Sequence, residues 1–147
     1  MFRTLTLLTL CVALALPLFA QVYNSPAYDY NRTTSALRLK KVELTKQVTI
    51  VDITYTNPPT AYGETNFIYI IPQMCIIDPK TNKKFFVLKT ENIPMEPGRH
   101  EFHKPYEKLR FKVYFPRIDI NQMYIVHILE DVESGFKFYN VRLMPMA

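Results

Sequence analysis

The clearest pattern in the sequence is a strict alternation of apolar and polar residues over residues 109–115 (LRFKVYF). Leucine, phenylalanine and valine occupy every second position, and arginine, lysine and tyrosine lie between them. Since side chains in a strand point alternately to opposite faces, this segment predicts a strand with one apolar and one basic, solvated face. Such a strand is typical of an antiparallel sheet that packs against a second layer.

The chain from residue 36 onward contains further short segments of this kind, separated by turn residues. Candidate strands are residues 37–45, 48–56, 67–71, 74–77, 84–89, 100–103, 123–129 and 135–143. A phase change at Lys40 and Lys41 predicts either a β-bulge or a twist that switches the buried face in the first of them. Residues 91–98 predict a loop, and residues 118–123 a short helical turn. Strands recurring about every eight to twelve residues are typical of a β-sandwich or barrel, so we predict one all-β domain over residues 36–147.

Residues 1–20 have the features of a secretory signal peptide. Arg3 precedes a long apolar run, and Ala20 is the small residue expected before a cleavage site. The apolar run is shorter than the roughly 20 residues that a membrane span needs. A lipid anchor on Cys11 is disfavoured, because Leu10 stands where a small residue is expected. We therefore predict export to the periplasm or the extracellular space, with Gln21 as the new N-terminus and no stable membrane span after cleavage.

Residues 21–35 lack an apolar period. They are polar and rich in tyrosine, and they contain Pro26. We predict an irregular N-terminal arm, either laid on the domain or loose. Asn31, Arg32 and Thr33 match a glycosylation acceptor, a short and common pattern that matters only in a eukaryotic secretory route.

Length, net charge and cysteine content limit the classes of function that are expected for the chain. Cleavage after Ala20 leaves 127 of the 147 residues, the size of one domain. Removing Arg3 from the 18 basic residues leaves 17 against 13 acidic residues, a net charge of +4. This charge is spread along the strands and not massed in a tail, so nucleic acid is not an expected partner. Cys75 is then the sole cysteine, and no disulfide can form within the mature chain.

Four segments together carry a family resemblance. They are residues 41–45 (KVELT), 77–84 (IDPKTNKK), 115–116 (FP) and 135–143 (GFKFYNVRL). In this order they are similar to the immunoglobulin-like β-sandwich domains of secreted Bacteroidetes proteins, which often lie just upstream of a thioredoxin-like domain. The resemblance implies an immunoglobulin-like antiparallel β-sandwich and an exported location. The sequence has no Cys-x-x-Cys motif, so any disulfide-exchange role would depend on a separate thioredoxin-like partner.

The sequence offers few residues that could bind a metal ion or a cofactor. His100 and His103 would point to opposite faces of a strand, and His127 lies far away in an apolar run. Only three glycines occur, and none belongs to a phosphate-binding loop. We therefore expect no metal site and no cofactor.

Two groups of residues invite a catalytic interpretation. Glu130, Asp131 and Glu133 form an acidic cluster, interpreted as a solvated loop, with a paired-carboxylate hydrolase or a calcium site as alternatives. Cys75 lies among apolar neighbours, which predicts a buried thiol with a raised pKa and little reactivity. An intermolecular disulfide at Cys75 is the alternative. Neither group predicts a catalytic site, so we do not expect an enzyme.

Aromatic residues are the one unusual feature, with 10 Tyr, 10 Phe and no Trp. Phenylalanines in a core and tyrosines at its rim would account for them. The sharper hypothesis is a face for sugar or peptide contact formed by Tyr55, Tyr69, Tyr114 and Tyr139.

These observations favour a secreted, non-catalytic β-sandwich that binds a protein or another component of the bacterial cell envelope. Binding would use an exposed sheet edge or the tyrosine-bearing face, and strand addition is the simplest mode for such a fold. The alternatives are an accessory domain that docks a thioredoxin-like redox partner, and a hydrolase that uses the acidic residues from Glu130 to Glu133.

Overall fold

A computed structural model describes residues 21–59 and 66–144, so the predicted signal peptide lies outside the described residues. The strands are β1 (Gln21–Asn24), β2 (Leu37–Leu44), β3 (Val48–Thr56), β4 (Asn66–Ile68), β5 (Met74–Ile77), β6 (Lys84–Phe86), β7 (Lys89–Glu91), β8 (His100–Phe102), β9 (Lys108–Pro116), β10 (Ile125–Glu130) and β11 (Lys137–Arg142). All pairs between these strands are antiparallel. The prediction of an all-β, antiparallel fold is confirmed.

The strands form two larger sheets and one small ribbon. The five-stranded sheet has the order β1-β2-β3-β9-β7, the four-stranded sheet has the order β11-β10-β5-β6, and β4 pairs with β8. One apolar cluster takes side chains from both larger sheets, including the fully buried Phe111 of β9 and Phe138 of β11. The two sheets thus enclose a shared core in a β-sandwich-like arrangement.

Strand β9 lies between β3 and β7, as its alternating sequence favours. Its residues Leu109, Phe111, Val113 and Phe115 are buried. Burial of each such side chain contributes about 1.5–3 kcal/mol. The intervening Arg110 lies on the outer face, where its guanidinium makes two 3.0 Å hydrogen bonds to the Asp52 carboxylate.

Strand β2 contains the predicted bulge. Its pairing with β3 shifts register between Leu39 and Lys41, and Lys40 and Lys41 are both at least partly exposed. The extra residue keeps Leu39 and Val42 in the core on either side of the bulge.

The predicted single strand over residues 84–89 is wrong. The chain leaves β6 in the four-stranded sheet and enters β7 in the five-stranded sheet. The Val87 N–H donates to the Met74 carbonyl and the next N–H, of Leu88, donates to the Tyr114 carbonyl, so the crossing occurs between these two residues. Phe85 and Val87 of this segment pack against the shared core, whereas Phe86 and Leu88 are exposed.

The prediction of an irregular arm is wrong for residues 21–24, which form β1 beside β2. The following residues lie along β11, where the Asp29 N–H donates to the Tyr139 carbonyl and the Arg142 N–H donates to the Ala27 carbonyl. Tyr28 is buried against Phe138, with ring centroids 5.1 Å apart. The tyrosines therefore give this polar segment enough burial to stay ordered on both sheets.

Two smaller predictions differ in extent. The strand over residues 67–71 ends at Ile68, and Ile70 instead forms an isolated bridge with Met95. Residues 118–123 contain one helical turn that does not continue, closed by the Met123 N–H on the Asp119 carbonyl.

Candidate functional site

The four tyrosines proposed as a ligand face occupy different surfaces. Tyr55 points into the core, and its hydroxyl accepts a hydrogen bond from Asn66 Nδ2 at 3.0 Å. Tyr114 alternates with buried residues and faces outward from the five-stranded sheet. Tyr139 packs on the outer side of the four-stranded sheet, and Tyr69 stacks on Phe67 with ring centroids 6.1 Å apart. The structure does not bring the four onto one face, and ligand contact by any one of them stays a prediction.

Two of these rings are covered by cations of the same chain. The Arg32 guanidinium carbon lies 3.6 Å from the centroid of the Tyr139 ring. Lys89 Nζ lies 4.6 Å from the centroid of the Tyr114 ring. Cation–π contacts of this kind occupy the aromatic face that a ligand would stack on. Tyr114 and Tyr139 are therefore poorly suited to stacking in this conformation.

Three clefts meet at Ser134 and Gly135, in the connection between β10 and β11. The first, of about 460 Å³, has Tyr106 at its rim and is called the Tyr106 cleft below. The second, of about 490 Å³, is lined by Arg32, Glu133 and Lys137 among others. The third, of about 240 Å³, extends over Glu130. This end of the molecule is called the cleft end.

Glu130 is a buried residue whose carboxylate joins two loops at the cleft end. It lies at the end of β10 and is only 4% exposed. Its Oε2 accepts the Ile71 N–H at 2.8 Å, and its Oε1 accepts the Phe136 N–H at 2.9 Å. Burial raises the pKa of this carboxyl, and the two backbone hydrogen bonds oppose that rise. Glu130 is thus a buried tie between two loops, and its interpretation as part of a solvated loop is wrong.

The hydrogen bond from the Phe136 N–H to the Glu130 carboxylate also requires a glycine at position 135. A Cβ at this position would lie 2.5 Å from the Glu130 Cβ and 2.8 Å from the Glu130 carbonyl oxygen, closer than real contacts allow. Only glycine lets the β10–β11 turn approach Glu130 closely enough for the Phe136 N–H to reach the carboxylate.

The other two acidic residues of the cluster are exposed. Asp131 forms an ion pair with Lys84 at 3.1 Å, and both side chains are exposed to solvent. Glu133 borders the second cleft. Both oxygens of Glu130 already accept backbone hydrogen bonds, so no contact favours a paired-carboxylate reaction. Within the described ranges no group of three or more His, Cys, Asp or Glu side chains is placed to hold a metal ion.

Asn57, directly after β3, fixes the turn that precedes β9. It is buried, and its Nδ2 donates to the Lys104 carbonyl at 2.7 Å while its Oδ1 accepts from Asn66 Nδ2 at 2.8 Å. Its backbone N–H donates to the Glu107 carbonyl, and its carbonyl accepts the Tyr106 N–H, each at 2.8 Å. Three of these four hydrogen bonds hold the loop that carries Tyr106, and the fourth joins Asn57 to β4.

Tyr106 has an unusual backbone conformation. Its φ is 65°, and it follows Pro105 as the third residue of a turn closed by the Glu107 N–H on the Lys104 carbonyl. A positive φ at this turn position favours Gly or Asn, and a bulky residue pays about 1–2 kcal/mol for it. The side chain is nevertheless 68% exposed at the rim of the cleft. The sequence gives a turn signal at Pro105 but no sign of this conformation.

His127 and Cys75 lie on the outer side of the four-stranded sheet. His127 Nδ1 accepts the Asn140 N–H at 3.1 Å. Burial first, and then the Arg32 charge, lower the pKa of the His127 imidazole. Cys75 is fully buried, and burial raises its thiol pKa as predicted. A disulfide from Cys75 to another chain stays a prediction, and it would require this thiol to become exposed.

Comparisons with protein-family models, with curated proteins and with solved structures found no match. In the part of the chain that the structure describes, no helix is long and apolar enough to cross a membrane.

Proposed function

We propose that the protein is an exported, non-catalytic, immunoglobulin-like binding module of the bacterial cell envelope, and that it binds its partner at the cleft end. The observation that carries this proposal is the meeting of three clefts at Ser134 and Gly135, walled by loops from both sheets. Loops held by a rigid sheet framework are the usual place for binding residues.

The sheet order supports the immunoglobulin-like assignment. With β2 taken as strand A, the order β2-β3-β9-β7 corresponds to A-B-E-D, and β11-β10-β5-β6 corresponds to G-F-C-C′. The crossing from β6 to β7 then corresponds to the passage from C′ to D. In this assignment the β10–β11 connection is the F–G loop, which lies at the ligand-binding end of variable domains.

The sheet edges favour the cleft end over strand addition. Ala27 and Asp29 hydrogen-bond to the outer edge of β11, so that edge is already occupied. Strands β6 and β7, at two other edges, have three residues each. The remaining edge of the larger sheets, β1, has four residues, and β4 and β8 have three each, so these strands offer few backbone groups to a partner strand.

A blocking substitution tests the proposed binding end. Ser134 is exposed and borders all three clefts, so Ser134→Trp would fill their shared wall. Lys80 is exposed beside a smaller cleft lined by Asp78 and Tyr124, and Lys80→Trp is the matched control. We expect the wild type and Lys80→Trp to retain the same component from a cell-envelope fraction of the producing organism, and Ser134→Trp to lose it.

Three results would contradict the proposal. They are equal retention by all three proteins, loss only with Lys80→Trp, and no retention above a blank matrix. Export is tested separately by N-terminal sequencing of the protein from the periplasm or culture medium, for which the expected first residue is Gln21.

A further inference from the structure

We infer that the Tyr106 cleft binds a neutral saccharide, with the Tyr106 ring stacked on one face of a sugar. The inference rests on the proposed function and names the ligand class of one of its three clefts. The volume of about 460 Å³ lies within the roughly 300–1,000 Å³ typical of small-molecule sites.

Charge separates this cleft from its neighbours. Among the described residues, none of those that line the Tyr106 cleft is charged. The second cleft has Arg32, Glu133 and Lys137 in its wall, and the third has Glu130. A phosphate or carboxylate ligand would lose hydration in the Tyr106 cleft without gaining an opposite charge. The cleft therefore favours an uncharged ligand.

The polar groups of the cleft suit a ligand with many hydroxyls. Five of its lining residues carry a hydroxyl group and are at least partly exposed: Thr34, Ser35, Thr56, Tyr106 and Ser134. Hydroxyls donate and accept hydrogen bonds, as the hydroxyls of a sugar do. A purely apolar ligand would remove these groups from water without replacing their hydrogen bonds. Saccharides match both the uncharged character of the described lining residues and the density of hydroxyls.

Tyr106 supplies the apolar surface that sugar recognition also needs. The C–H groups of a pyranose face carry partial positive charge and meet the negative face of an aromatic ring. Within residues 21–59 and 66–144, no cation lies over the Tyr106 ring, in contrast to Tyr114 and Tyr139. Its positive φ works against the stability of the turn. An exposed ring at a strained position is explained by contact with a ligand.

Because the Tyr106 backbone is strained, a substitution at this position can separate an effect on ligand affinity from an effect on stability. Tyr106→Asn removes the ring and places a residue that tolerates a positive φ. We expect its melting temperature to be unchanged or higher, and its affinity to fall at least about tenfold, the loss typical of an aromatic anchor. Tyr106→Phe keeps the ring and should bind within about threefold of the wild type. Tyr124→Asn, at an exposed tyrosine beside the smaller cleft, is the matched control and should bind as the wild type does.

The probes are gluco-, manno-, xylo- and galacto-tetraose at millimolar concentration, measured by calorimetry and thermal shift, with polygalacturonate as a charged comparison. Binding of at least one neutral probe that depends on Tyr106 supports the inference. It is overturned by no binding of any neutral probe, by preference for polygalacturonate, or by a lower melting temperature of Tyr106→Asn with unchanged affinity. If neutral probes fail while Ser134→Trp still loses the envelope component, the saccharide inference falls and the proposed function stands.

Discussion

The two ends of the sandwich stabilise their loops in different ways. The end opposite the clefts, called here the turn end, carries turns that are closed by their own side chains. Thr45 Oγ1 accepts the N–H groups of Gln47 and Val48, and Asp78 accepts the Lys80 N–H and the Thr81 hydroxyl. These partners lie two or three residues apart, so each turn is closed locally, and the Arg117 guanidinium adds one long-range hydrogen bond to the Thr45 carbonyl.

The cleft end depends on partners that are distant in sequence. Glu130 and Ile71 are 59 residues apart, and Asn57 and Lys104 are 47 residues apart. The Thr33 hydroxyl donates to the Lys137 carbonyl across 104 residues. These contacts form only when segments that are distant in sequence have come together in the folded chain.

This difference predicts where the molecule is most sensitive. Asp78 at the turn end closes one turn, whereas Glu130 at the cleft end holds two distant segments and leaves two backbone N–H groups unpaired when it is removed. A surface built from distant segments also has a fixed shape only in the folded domain, as a preorganised binding site requires.

The largest effect is expected for Glu130→Ala. It leaves the Ile71 and Phe136 N–H groups without their carboxylate partner, which should lower the free energy of unfolding by about 2–4 kcal/mol. The exposed Glu133→Ala is the control and should change it by less than about 0.5 kcal/mol. Urea denaturation of both variants measures the difference. Equal effects of the two substitutions would remove the structural role assigned to Glu130.

Asn57→Ala should have the next largest effect. It deprives the Lys104 carbonyl and Asn66 of their side-chain partner, and we expect a loss of about 1.5–3 kcal/mol. Since Asn57 holds the strained turn, Tyr106→Asn should gain less stability in the Asn57→Ala background, where the turn can already relax, than in the wild type. A double-mutant cycle by urea denaturation measures this coupling, and strict additivity would contradict it.

Asp78→Ala probes the turn end and should cost only about 0.5–1.5 kcal/mol, because the hydrogen bonds lost are local. Hydrogen exchange should become faster in residues 79–83 and stay unchanged at Ile71 and Phe136. Faster exchange at those two amides would indicate that the ends are not independent.

The smallest effect is a pH dependence at His127, which lies between the two ends. Burial and the nearby Arg32 lower its pKa in the folded protein, and Asp29 partly opposes this. The neutral ring is therefore favoured in the fold, so its contribution is complete above the unfolded value of 6.5 and is lost as the pH falls below it. Solvent screening should keep this loss below about 1 kcal/mol.

His127→Asn places an amide oxygen close to the position of Nδ1 and keeps an acceptor for the Asn140 N–H. The melting temperature of the wild type should fall relative to this variant between pH 7 and pH 5, the interval in which an unperturbed histidine titrates. Parallel melting curves over that range would show that protonation of His127 does not affect stability.

The features predicted correctly from the sequence are those with local signals. The alternation over residues 109–115 gives β9, and the phase change at Lys40 and Lys41 gives the bulge in β2. The turn at Asp78 likewise follows from its own residues. In each case the pattern that specifies the structure lies within about ten neighbouring residues.

The features that the sequence did not reveal depend on distant partners. Residues 84–89 are a continuous apolar run between two lysines, as one strand could be, and only the two facing sheets divide them into β6 and β7. Glu130 resembles its exposed neighbours in sequence, and its burial follows from the approach of Ile71 and Gly135. The positive φ of Tyr106 depends on Asn57, and no nearby residue indicates it. The candidate site therefore emerged from tertiary contacts, whereas most strands emerged from periodicity.

The most direct test of saccharide binding at the cleft end is a map of backbone amide chemical shifts of the purified protein during titration with the four neutral tetrasaccharides. We expect one of them to shift the amides of Ser35, Thr56, Ser134 and Gly135 together, and to leave residues 78–82 at the turn end unchanged. Shifts concentrated at the turn end, or no shifts with any of the four, would contradict it.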